Sequence, residues 1–237
     1  MEQARIRDIE VLVNERIQKA NKYIDDNKTR AVKSLNESEE AEIPGFENRI
    51  VKFGQFIEKE FVVMMTDIRR STEIINGIGG VENMFRIFYV YAAIVAKIVD
   101  SYGGTSTEFL GDGVLNLFDT DESRDKAFKN SISASWDILY AREHILNPTF
   151  RGHGLPEISI GSGIDYGPTI VTRFGYKSDN DLKAFGKCAY NVSRLCKGEN
   201  EIFISEEAKQ IWPSAPGGTL KLDHSIISGK IAYKAAK

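Results

Sequence analysis

The feature that most restricts the fold is the run Phe61–Ile68 (FVVMMTDI), apolar almost throughout, of strand length, and carrying an aspartate near its end. Such a run reads as a buried strand. Asp67 therefore stands at a strand end, just before IRRST (68–72), which should start a helix. Next, Val81–Ser101 is helical, with Phe85, Phe88, Ala92, Val95 and Val99 at helical spacing. TSTEFLGDGVLNLF (105–118) follows as two strand-like runs broken by Gly111-Asp112-Gly113, a hairpin turn signal. A helix is expected around 122–147, a strand over Glu157–Tyr166, a second strand around 168–174 and a helix over Ala189–Lys197. Short strands are expected near 201–204, 219–224 and 230–235. Helices and hairpins mix without strict βαβ alternation, which favours an α+β fold, a sheet with helices on one face.

Ahead of this unit, residues 3–36 form a polar-rich helical pattern. Ile6, Ile9, Val13, Ala20 and Tyr23 make a short seam with a break at Arg16. That seam serves either packing on the same domain or a dimeric coiled coil. NESEEAEIPGF (36–46), with Pro44 and Gly45 as breakers, reads as a linker. The expected division is thus a helical segment and linker over 1–46 and a main domain over 47–237.

A net charge of -3 argues against a general binder of nucleic acid or anionic membrane. No apolar run approaches the ~20 residues that span a bilayer, and the charged N-terminus lacks a signal-peptide core. With only Cys188 and Cys196, no disulfide framework is implied. The expectation is a cytoplasmic protein with reduced thiols and neither nucleic-acid nor membrane partners.

An acid at a strand end and another at a neighbouring hairpin tip can converge at one edge of a sheet. Oxygen ligands of that kind suit Mg²⁺ or Mn²⁺, with backbone carbonyls and substrate phosphates completing the shell. Taken singly, each is weak evidence, because a strand-ending Asp is often a helix N-cap and Asp between two glycines often a turn former. Their surroundings make the pair specific.

FVVMMTDIRRST (61–72) resembles the first metal motif of class III adenylate and guanylate cyclases, a strand followed by D-I-x-x-x-T. TEFLGDGVLNLF (107–118) resembles the second, ISIGSGIDYGPTIVTRFG (158–175) the family's glycine-spaced stretch, and AFGKCAYNVSRLC (184–196) its G-x-x-x-N-x-x-x-R-L helix. The four motifs stand in the family's order over about residues 58–197. The resemblance implies a ferredoxin-like catalytic domain that works as a head-to-tail homodimer with sites at the interface. It implies that a nucleoside triphosphate is closed to a 3′,5′-cyclic monophosphate with release of pyrophosphate. Asp67, the Ile68 carbonyl and Asp112 would hold two divalent metal ions. Arg194 of the other subunit would stabilise the transition state, and the helix start at Ser71 and Thr72 would offer N–H groups to the phosphates.

Three positions depart from the family pattern. Tyr190 stands where the family has its transition-state asparagine, with Asn191 one residue off and so rotated by ~100°. Arg70 replaces a glycine; with Arg69 it reaches the triphosphate or is a solvent-facing pair. Lys230 is the nearest match to a triphosphate lysine, or else a surface residue.

The positions that resemble the family's base readers carry Glu108 and Lys183. A carboxylate accepts hydrogen bonds and an ammonium donates them. The pair therefore suits a base edge with a ring N–H beside a carbonyl, as in uracil and guanine. Mutual pairing of Glu108 with Lys183 is the alternative. Together with the remodelled positions, this ranks UTP first, GTP next and ATP third. It is also similar to the bacterial pyrimidine cyclases of anti-phage signalling (Pycsar), whose cyclic UMP or cyclic CMP acts on a separate cyclic-nucleotide-sensing effector. The rival of another class is an inactive cyclase-homology domain used for dimerisation or sensing.

Overall fold

The computed structural model describes residues 1–29, 56–77, 79–176, 179–213 and 219–236. The expected linker at 36–46 and the end of the expected N-terminal helix, residues 30–36, lie outside these. The elements run α1 (Gln3–Thr29), β1 (Phe56–Arg69), α2 (Ser71–Asn76), α3 (Gly80–Ser101), β2 (Gly104–Leu110), β3 (Gly113–Asp119) and α4 (Arg124–Ala141). A π-turn (Arg142–Leu146) leads into α5 (Asn147–Gly152), where Pro148 cannot donate the usual backbone hydrogen bond. Then come β4 (Ser159–Tyr176), β5 (Asp179–Phe185), α6 (Lys187–Leu195), β6 (Ile202–Ser205), α7 (Glu206–Gln210), β7 (Lys221–Ile227) and β8 (Lys230–Ala236).

Among the described residues the strands form one mixed sheet in the order β2-β3-β1-β4-β6-β8-β7, with β5 pairing on β4. All pairings are antiparallel except β4 with β6. β1 lies centrally, which is why its run is apolar on both faces. Val62, Met64 and Ile68 enter the large core formed with α1, α3 and α4, while Phe61, Val63 and Met65 pack with Cys188, Val192 and Cys196 of the α6 segment. The expectation of helices on one face is therefore corrected: α6 covers part of the second face. By alternation Asp67 belongs to that second face, beneath the end of α6.

Other elements shift for identifiable reasons. The expected break at Gly167-Pro168 is absent, because the long ladder with β1, from Arg69 opposite Ser159 to Phe56 opposite Thr172, carries β4 past the proline. β5 escapes the sequence pattern because its inward apolar side chains are only Leu182 and Ala184. The buried line of α1 is Ile9, Val13, Ile17, Ala20 and Ile24, so the helix packs on its own domain. Tyr23 is 43% exposed and Arg16 is not a break: its guanidinium bonds and overlies Tyr89 of α3. No helix among the described residues is long and apolar enough to cross a membrane.

Candidate active site

Asp67 is opposite glycine on both sides, Gly113 in β3 and Gly161 in β4. A Cβ on Gly113 would lie 2.4 Å from Met65 Cε and 3.4 Å from Asp67 Oδ1. One on Gly161 would lie 2.0 Å from the Cys196 carbonyl oxygen, so this glycine lets the end of α6 settle onto the sheet beside the carboxylate. At the β2–β3 tip Gly111 takes φ 64°, a left-handed turn conformation suited to glycine. The Ile68 N–H donates to the Asp112 carbonyl at 3.2 Å and ties that tip to the end of β1.

The two acids are thereby neighbours. Burial, then the negative charge of Asp112, push the Asp67 carboxyl up to about 6. Arg69 and Lys197 oppose this. Arg69 donates to Asp67 Oδ2 and, at 3.3 Å, to the Cys196 carbonyl, and Lys197 Nζ lies 3.8 Å from the same carboxylate oxygen. A pair of carboxylates offering only oxygen fits Mg²⁺ or Mn²⁺. Among the described residues no group of three or more His, Cys, Asp or Glu is placed to hold a metal. A cation here would need further oxygens from a bound phosphate, as Mg²⁺ sites commonly do.

Glu108 is aimed by a bulge. Ser106 pairs with Asn116 and Glu108 with Leu115, leaving Thr107 as the extra residue on β2. The Glu108 carboxylate then points at β5, where Oε1 accepts the Ala184 N–H at 2.7 Å and Oε2 accepts Lys183 Nζ at 3.2 Å. Glu108 and Lys183 thus pair with each other, the alternative that the sequence left open.

On α6, Arg194 Nη2 donates to the Tyr190 hydroxyl at 2.8 Å, and its guanidinium lies 4.8 Å from the Tyr190 ring centroid. Asn191, one position on, is buried and turned inward, as its rotation requires. Lys230 enters the same cleft of about 230 Å³ as Arg194 and Asn191. Lys230 is therefore beside Arg194 rather than on a remote surface.

Arg70 caps α2 with φ 56° and ψ 31°. This left-handed backbone gives a physical reason for glycine at this position in the motif the sequence resembles. Its side chain pairs with Glu199, both more than half exposed. Ser71 and Thr72 begin a helix of only six residues. The predicted residues thus fall into three groups: the acids with the start of α2, the Glu108–Lys183 pair, and the α6–β8 cleft. Lys197 and the buried Asp165 of β4 were not singled out in the sequence; an acid inside an apolar strand was the available signal for Asp165.

No protein-family model matches the chain. It is 28% identical over 151 residues to an adenylate cyclase of Anabaena cylindrica, covering 64% of this chain and 29% of that protein. It is 28% identical over 131 residues to a uridylate cyclase of Rhodovulum sp. (strain MB263), covering 51% of this chain and 52% of that protein. The chain therefore spans about half or less of these relatives. Among solved structures it is similar to the guanylyl cyclase Cya2, with a TM-score of 0.64 and 21% identity over 76% of this chain and 93% of that one. At that identity the likeness shows the fold.

Proposed function

We propose that this chain, which belongs to the class III nucleotide cyclase catalytic domains, closes a nucleoside triphosphate, UTP foremost, into its 3′,5′-cyclic monophosphate with loss of pyrophosphate. The observation that carries the reading is the convergence of Asp67 and Asp112 at the glycine-cleared end of β1. Asp67, Asp112 and the Ile68 carbonyl would hold two divalent ions. Ions held there would supply charge neutralisation for the triphosphate and would lower the pKa of a ribose 3′-hydroxyl facing the α-phosphorus.

The chain's own residues supply the rest. Arg69 and Lys197 already face Asp67 and turn to phosphate oxygens when the carboxylates are otherwise neutralised. Arg194 presents fixed positive charge where negative charge grows on the phosphates, and Lys230 binds the triphosphate in the ground state. Arg70, Ser71 and Thr72 line the approach to the same end of β1. In one protomer no contact joins Arg194 to the two acids among the described residues. Apolar side chains stand exposed at both regions, Phe109 and Leu110 beside the hairpin tip and Tyr190, Ile226 and Ile231 around α6 and the β7–β8 turn. A head-to-tail homodimer would cover both and bring Arg194 of one subunit to the acids of the other.

The Glu108–Lys183 pair supports UTP. A carboxylate has about four lone-pair sites and an ammonium three donors, so their mutual bond leaves Glu108 able to accept the uracil N3–H and Lys183 able to donate to O4. Guanine offers a similar edge, whereas adenine and cytosine invert it. The product would be a diffusible messenger for an effector that senses cyclic nucleotides. Purified protein given ATP, GTP, CTP or UTP separately with Mn²⁺ should make cyclic UMP fastest. Dominant cyclic AMP would sink the base reading, and no product from any of the four would favour an inactive domain.

A further inference from the structure

A buried polar chain runs from the middle of the sheet to Lys230. Asp165 in β4 is 1% exposed. Its Oδ1 accepts the Tyr166 N–H at 2.8 Å and the Ser205 hydroxyl, and its Oδ2 accepts Asn191 Nδ2 at 3.1 Å. Asn191 Oδ1 in turn accepts Lys230 Nζ at 3.4 Å. Four elements, β4, β6, α6 and β8, meet in this chain.

The direction of the chain follows from donor and acceptor counting. An ionised carboxylate only accepts, so Asn191 must turn its NH₂ inward to Asp165. Its carbonyl end then faces the cleft, and that is the end able to receive an ammonium. Ser228 donates to the Arg194 carbonyl at 3.2 Å and ties the β7–β8 turn to α6 at a second point. A lysine on a flexible stem otherwise loses side-chain freedom when it binds a ligand.

The geometry points to Asp165 as a positioning residue: by setting the orientation of the Asn191 amide, it holds the Lys230 ammonium in the cleft beside Arg194, so that two fixed cations face one triphosphate. This rests on the cyclase reading above, in which Lys230 meets phosphate.

The Asp165→Asn variant keeps the Oδ1 contacts but sets an NH₂ against the NH₂ of Asn191. Asn191 must turn over and present a donor to Lys230. Affinity for inorganic tripolyphosphate with Mg²⁺, measured by calorimetry on the full chain, should fall about fivefold, as expected for one lost hydrogen bond. KM for the nucleotide should rise in step, with kcat little changed. The swap Asp165→Asn with Asn191→Asp restores every donor–acceptor match and should regain part of the lost affinity, the rest being offset by the carboxylate now beside Lys230. Lys230→Ala should weaken binding at least as much, and adding Asp165→Asn to it should change nothing further.

Unchanged binding in Lys230→Ala would overturn the phosphate role on which the inference rests. Weakened binding there, with none in Asp165→Asn or no recovery in the swap, would overturn the positioning role alone. If Asp165→Asn does not fold, the swap carries the test: folding with affinity above that of Lys230→Ala supports the inference, and binding no better than Lys230→Ala or failure to fold overturns it.

Discussion

Tyr190 holds Arg194 twice over: its hydroxyl accepts the guanidinium at 2.8 Å and its ring lies beneath it at 4.8 Å. A tyrosine at the family's asparagine position therefore acts on the arginine one helical turn away. Tyr190→Phe keeps the ring and loses the hydrogen bond, so kcat should fall about three- to tenfold with little change in KM. Arg194→Ala should lower kcat by about 10³, the scale of losing a transition-state arginine. Steady-state kinetics of both variants check this. Equal losses would place Tyr190 in direct contact with the substrate instead.

Asp67 titrates abnormally high, at about 6, because burial and Asp112 disfavour its charge. Between the ordinary value of 3.8 and about 6 the folded chain holds a proton that the unfolded chain has released. Stability of the metal-free protein therefore falls as pH rises through that window and returns on acidification. Divalent ions bind the ionised form, so stabilisation by Mn²⁺ should grow over the same rise. Melting curves with and without Mn²⁺ from about pH 5 to about pH 8 test this. The gain should vanish in Asp67→Asn, and a gain independent of pH would contradict the metal assignment.

Glu108 serves the fold through its bond to the Ala184 N–H, besides the base-reading role proposed for it. Glu108→Ala leaves the Ala184 N–H without its acceptor and should destabilise by about 1–3 kcal/mol. Glu108→Gln keeps an acceptor for Ala184 and adds a donor. It should hold its melting temperature better while lowering the preference for UTP over CTP by about tenfold or more. Product analysis with paired nucleotides measures the ratio.

Gly161 has no room for a side chain. Its Cβ would sit 2.0 Å from the Cys196 carbonyl and 2.5 Å from that of Gly198, both backbone atoms that cannot step aside. Gly161→Ala should destabilise by about 3 kcal/mol, the upper range for overpacking. It should also raise Mn²⁺ affinity in the protein that remains folded, because the displaced segment carries Lys197, whose ammonium competes with a cation for Asp67, and the carbonyl that anchors Arg69 there. Denaturant unfolding and Mn²⁺ titration report the two effects.

Arg70→Gly runs the other way. It relieves a left-handed backbone and removes only an exposed ion pair with Glu199. Stability should be unchanged or rise by up to ~1 kcal/mol. A simultaneous rise in KM would mark Arg70 as a phosphate ligand.

Local pattern was enough to read the α+β class, the buried strand β1 and the convergence of Asp67 with Asp112. Apolar runs, turn chemistry and strand ends are local properties, and a strand end and a hairpin tip have few places to go in one sheet. Tertiary structure alone decided the partners of groups with several possible roles. Glu108 meets Lys183 because a bulge at Thr107 turns it toward β5. The α1 helix lies on its own domain because Ile17 and Ile24, rather than Arg16 and Tyr23, complete its buried line. Lys197 reaches Asp67 because glycine at 161 lets the end of α6 descend onto the sheet. Each of these depends on close approach between segments far apart in the chain, which residue type and spacing do not encode locally.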